Sequence, residues 1–178
     1  ISIFDLSRMP IHKAFHGNFS YTRVPAGAHK DLILNKHSMN IIITLPANLI
    51  AKIITGEKKI EIRKRTPQHF AQGHDKVFVV EKGKRHIVMY FTIDCFIIGN
   101  GFEYLYRAYG RKFGVDKQYY DNYVCNTSSI SLWKIKDVYT ILPPISLETL
   151  DLNITPPQSF VYTKLSEDDF LKLGCSIK

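Results

Sequence analysis

The chain has 178 residues, of which 45% are hydrophobic and 22% charged, and carries a formal net charge of +8. That size and balance suit one globular domain with a substantial core rather than two. No apolar run reaches the roughly 18 residues that a membrane-spanning helix needs, and the first residues lack the basic-then-apolar layout of a secretion signal, so a cytoplasmic protein with no membrane partner is expected.

In chain order, residues 1–38 are mixed and turn-rich, without sustained periodicity, and read as an N-terminal extension or an appended segment. Regular text begins at Met39. The β-branched run 39–45 predicts a strand, and Pro46 opens a helix over Ala47–Thr55. Leu49, Ile50, Ile53 and Ile54 form its apolar stripe, and Gly56 stops it. Lys59–Arg63 alternates polar and apolar with period two, which predicts a half-buried strand. Lys76–Glu81 and Arg85–Ile98 form a hairpin across the Lys82-Gly83-Lys84 turn. Phe102–Phe113 and Lys117–Val124 read as two short helices separated by Gly114. Ser129–Ile141, which holds the single tryptophan Trp133, reads as a strand broken by Pro143 and Pro144. A last strand is expected near Tyr162, and then a helix over Ser166–Leu173 with Ser166 as its N-cap. Residues 39–165 are taken as the domain and 166–178 as a C-terminal helix and tail. Several short strands with two or three helices around them predict an α+β fold built on a small mixed barrel.

Cys95, Cys125 and Cys175 are far apart, and no Cys/His cluster has metal-ligand spacing, so free thiols, no metal and no cofactor are expected. The densest chemistry lies in Gly56–Arg65, where five of ten residues are Lys or Arg. Alternation on a strand turns Lys59, Glu61, Arg63 and Arg65 one way, expected outward, and Ile60 and Ile62 into the core. Lys58 stands at the bend before the strand. A carboxylate among cations can fix their geometry or accept a proton, and the cations suit phosphate oxygens or a base edge. Lys82, Lys84 and Arg85 make a second basic cluster in the hairpin turn. Together with Lys64 they extend an electrostatic footprint for a polyanion. The ordinary alternative is a solvated, salt-bridged face. Trp133 and the tyrosines of the helical stretch could stack on bases or simply fill the core. Gln158 and Ser159 follow two prolines, which fix the backbone, and could read a base edge or cap a turn.

The run Gly56-Glu-Lys58-Lys-Ile-Glu61-Ile-Arg63 resembles the Gly-x-Lys-x-x-Glu-x-Arg signature of ASCH domains. The hairpin, the helical insert, the strand into Leu142-Pro-Pro and the segment Pro156-Pro-Gln-Ser-Phe160 follow in that family's order, over about residues 39–164. The resemblance implies a PUA-like β-barrel with a cleft where the motif residues gather. It also implies an association with RNA or modified nucleotides, and in places with translation. Some relatives are enzymes: ribonucleases, and a bacterial branch that deacylates acetylcytidine with a Lys–Thr–Glu set. Lys58 matches that lysine. Glu61 stands where the threonine would be, and Arg111–Phe113 offer no carboxylate for the third member. Three readings therefore stand side by side. One is a binding module for RNA or a nucleotide, through Lys58, Lys59, Arg63, Lys64, Arg65, the hairpin cations, Gln158 and Ser159. Another is a hydrolase using Lys58 and Glu61, and the third is a protein-interaction domain. Efficient acetylcytidine deacylation is not expected.

Overall fold

The computed structural model describes residues 39–178 except 153, 156 and 158, together with the backbone of 21–24. It contains β1 (Tyr21–Val24), β2 (Asn40–Leu45), α1 (Ala47–Ile54), β3 (Ile60–Arg63), β4 (Lys76–Glu81) and β5 (His86–Gly99). The insert α2 (Phe102–Tyr109), a 3-10 turn (Gly110–Lys112) and α3 (Lys117–Val124) follow. Then come β6 (Ile130–Ser146), β7 (Val161–Thr163), α4 (Glu167–Lys172) and β8 (Ser176–Ile177). The elements match the expected order. The fold is α+β: a mixed sheet in which β2 and β4 run parallel and the other neighbours antiparallel.

The main ladder runs β3-β6-β5-β4-β2-β7, so β3 and β7 are its two ends. β1 pairs with the end of β5 at Phe96–Gly99, which brings part of the segment set apart in sequence into the sheet. β8 pairs with β6. The run Ile41–Ile43 is wholly buried because both faces of the sheet are covered. Ile41 and Ile43 face a core that includes Ile53 of α1, Val77, Val79, Met89 and Trp133. Ile42 faces a second core with Phe78, Tyr90 and Phe170, which docks α4 on the other side. A third core lies under the insert, where Leu105, Phe113 and Tyr120 cover Ile60, Ile62 and Leu132.

Pro143 and Pro144 do not end β6, contrary to expectation. Thr140 pairs with Met89 and Ile145 with Ile87, so the prolines sit in a bulge opposite Val88 where no ladder N–H is required. Phe102–Phe113 divides at Tyr109 into a helix and the 3-10 turn. α3 is capped by Asp116, whose carboxylate accepts from the Tyr119 N–H at 2.7 Å. At the start of α4, Asp169 accepts from both the Ser166 N–H and its hydroxyl. Cys95 and Cys175 are buried and Cys125 is exposed, all as free thiols.

Candidate nucleotide cleft

Lys58, Glu61 and Arg63 come together, as the spacing predicts, but not on an open surface. They are 3%, 4% and 5% exposed. The sequence pattern separates the two faces of β3 correctly but misassigns the environment of one of them. Ile60 and Ile62 lie beneath the insert, and Glu61, opposite Trp133 in the ladder, is turned to the barrel interior. Both faces of β3 are covered, because the insert folds over one and the barrel closes over the other. Only the flanking Lys59, Lys64 and Arg65 stay exposed.

Two cations hold the carboxylate in place. Glu61 Oε2 lies 3.1 Å from Lys58 Nζ, and Glu61 Oε1 accepts from Arg63 Nε at 2.9 Å. Lys58 Nζ also donates to the carbonyls of Ile60 at 2.8 Å and Phe113 at 2.7 Å. An ammonium has three N–H donors, so these three acceptors use all of them. Arg63 reaches across the sheet's open seam. Its Nη1 donates to the Ser159 carbonyl at 2.9 Å, and its Nη2 makes a long contact of 3.4 Å with the Thr44 carbonyl. The Thr44 carbonyl can face that way because β7 pairs with β2 only at Asn40–Ile42. Ser159 thus serves the site through its backbone. Gln158 lies outside the described residues.

The insert is locked onto this cluster by its main chain. Lys59 N–H donates to the Lys112 carbonyl, and Lys52 Nζ donates to the Gly114 carbonyl at 2.9 Å. Gly114 has φ +69, and a Cβ there would stand 2.9 Å from the Lys58 Cβ, so glycine is required on both counts.

Above the cluster opens a cavity of about 470 Å³, walled by β2 and the start of α1, by Lys82 and Gly83 of the hairpin turn, and by Tyr119 and Tyr123 of α3. Its volume is in the range of small-molecule sites. Glu61 is the one carboxylate among its described lining residues. Lys82 is exposed at the rim and has no ion pair among the described residues. Lys84 and Arg85 are instead engaged, with Glu81 at 3.0 Å and Glu148 at 2.6 Å, so the structure does not bring them to the cleft with Lys82. Lys64 stands 5.3 Å over the Tyr123 ring. Burial raises the Tyr123 phenol, partly opposed by the nearby Arg63 charge.

Sequence reasoning missed one cleft group. Thr44 Oγ1 is a buried hydroxyl without a hydrogen-bond partner among the described residues, and Thr44 lines the cavity. Tyr119 is 52% exposed at the mouth, whereas the neighbouring Tyr120 is fully buried and donates to the Phe102 carbonyl. Tyr104 is 44% exposed and so does not fill the core. No group of His, Cys, Asp and Glu among the described residues could hold a metal.

Crystal structures of ASCH from Zymomonas mobilis share this architecture. The chain matches one with a TM-score of 0.66 at 23% identity, covering 79% of this chain and 98% of that one. A serine-to-alanine variant of the same protein gives 0.65 at 22% identity, over 78% of this chain and 98% of that one. The fold is that of an ASCH domain. A tyrosine-to-phenylalanine variant of the Zymomonas ASCH protein matches equally well, with a TM-score of 0.64 at 23% identity, covering 77% of this chain and 99% of that one. No protein-family model matches the sequence, and no curated protein does. Lys58, Glu61 and Arg63 lie at the foot of the cleft in this fold. Among the described residues no helix is long and apolar enough to cross a membrane.

Proposed function

We propose that the cleft binds a nucleotide of RNA, with RNA metabolism or translation as its setting. The observation that carries this reading is the mixture of groups converging on one cavity. Lys82, without an ion pair among the described residues, offers a cation for a phosphate, and the half-exposed Tyr119 offers a ring for a base. The unpartnered Thr44 hydroxyl and the fixed Glu61 carboxylate offer a hydrogen-bonding edge deeper in. A base placed there would satisfy Thr44, whose isolation is otherwise a cost.

The chemistry favours binding over hydrolysis. A lysine nucleophile needs a free lone pair, and all three Lys58 N–H groups are committed to oxygen acceptors. Glu61 is held from both sides by cations, which suits a fixed acceptor better than a proton shuttle.

The test is a titration of labelled single-stranded RNA at several salt concentrations. Affinity should fall as salt rises, with a slope of about −0.7 per phosphate neutralised. Absence of binding at low salt, or binding indifferent to salt, would refute the reading. The protein-interaction alternative would then be the one to pursue.

A further inference from the structure

Beside the cleft lies a second, shallower cavity of about 510 Å³ that shares one wall residue with it, Val115. We propose that this cavity holds a backbone phosphate of the same RNA strand, next to the nucleotide seated in the cleft. The proposal rests on the cleft reading and adds to it a single strand longer than one nucleotide, together with the path that strand takes.

Charge is the first argument. The cavity is lined by four cations, Lys52, Arg107, Arg111 and Lys117, against the carboxylates Glu57 and Glu103. Arg111 is exposed and makes no ion pair among the described residues. The other cations are paired but solvent-facing: Lys52–Glu57 at 3.2 Å, Arg107–Glu103 at 3.2 Å, Lys117–Glu103 at 3.1 Å and Lys117–Asp121 at 2.6 Å. Exposed pairs of this kind contribute little, so Arg107 and Lys117 can turn to a phosphate at small cost, while Lys52 stays on the Gly114 carbonyl. One carboxylate, Glu103, is shared between two of them.

The second argument selects a phosphate over a base. Tyr106 is the aromatic ring in the lining, and the Lys117 ammonium stands 5.4 Å over it. The ring is therefore engaged by a cation, and what the cavity presents is positive charge. The third argument concerns register. The segment between the two cavities is pinned through the Phe113 carbonyl to Lys58 and through the Gly114 carbonyl to Lys52. A strand with one nucleotide in the cleft would thus meet the second cavity at a fixed offset.

The experiment compares uridine monophosphate with a uridine tetranucleotide, each titrated calorimetrically into the whole chain and into the variants Arg111→Glu and Arg107→Ala. The tetranucleotide should bind the native chain more tightly than the monophosphate. Arg111→Glu should weaken the tetranucleotide about tenfold, as expected for loss of a charge-assisted hydrogen bond, and should lower its salt slope by about 0.7. Monophosphate binding should stay unchanged, and Arg107→Ala should act in the same direction. Equal affinity for the two ligands, or an Arg111→Glu variant that weakens both alike or neither, would overturn the second site. Failure of the monophosphate to bind the native chain would overturn the cleft reading, and the proposal with it.

Discussion

Replacing Glu61 by Gln removes one negative charge and almost no volume, and it should cost much of the protein's stability. In the native chain Glu61 faces Lys58 at 3.1 Å and Arg63 at 2.9 Å. At an effective dielectric constant of 20 each contact carries a Coulomb attraction of about 5 kcal/mol. Desolvation of the three groups offsets most of that, so the net value of the cluster is small. Breaking it is another matter, because two cations would remain buried without their carboxylate. Removing one partner from a buried ion pair typically costs about 3–5 kcal/mol. In a protein of this size each kcal/mol shifts the melting temperature by about 2–4 °C, so Glu61→Gln should lower it by about 6–20 °C. Thermal unfolding followed by circular dichroism measures this. Lys58→Met serves as the second corner of a double-mutant cycle, since it leaves Glu61 and Arg63 paired. The double variant should be more stable than the two single losses together imply, with a coupling of about 0.5–3 kcal/mol. A Glu61→Gln melting temperature within 2 °C of native, or strict additivity in the cycle, would refute the buried, mutually dependent cluster.

Gly114→Ala combines a positive φ with a Cβ 2.9 Å from that of Lys58 and should destabilise by about 1–3 kcal/mol in urea unfolding. Gly56→Ala shares the positive φ but meets nothing within 4 Å, so it should cost less. Burial is the main cause that raises the Tyr90 and Tyr120 phenols far above their ordinary value of 10.0. Their contribution to stability is fully present below pH 10 and is lost as the pH rises through the folded values. Phenolate absorbance should accordingly show two late-titrating tyrosines whose ionisation accompanies alkaline unfolding. Tyr119→Ala should weaken RNA binding by about 1–3 kcal/mol in the same titration while leaving the melting temperature unchanged, because the ring is half exposed. Acetylcytidine turnover should stay near background in a product assay, since Lys58 has no free donor position; robust turnover abolished by Lys58→Ala would contradict this.

Much of the fold was legible because local signals agreed with it. Pro46 and Gly56 bracket α1, the Gly83 turn joins β4 and β5, and Ser166 and Asp169 start α4. The convergence of Lys58, Glu61 and Arg63 was legible too, from a bend followed by a period-two strand. Their burial was not. Alternation says which side chains share a face, but what covers that face is set by the insert and by the other strands of the barrel, which lie far away in sequence. Arg85 shows the same gap, because its carboxylate partner Glu148 lies 63 residues further on. Thr44 sits in an apolar strand where a β-branched residue needs no explanation, and only the shape of the cavity makes its hydroxyl matter. The burial of Arg63 also changes the choice of probe. Arg65 can be altered to measure charge, whereas Arg63 cannot be removed without undoing the cluster.

The Arg63 side chain reaches from β3 across the gap in the ladder to the carbonyls of Thr44 in β2 and of Ser159, just ahead of β7. Among the described residues the seam is bridged by the Arg63 guanidinium, with no row of backbone hydrogen bonds between β3 and β7. A clasp of this kind lets the floor of the cleft and the closure of the barrel share a single part. Any occupant that pulls on Glu61 also tensions the seam, and any loosening of the seam lets the carboxylate drift. Amide protons of β3 and β7 should consequently exchange with solvent faster than those of β4 and β5, and a bound nucleotide should slow the seam first.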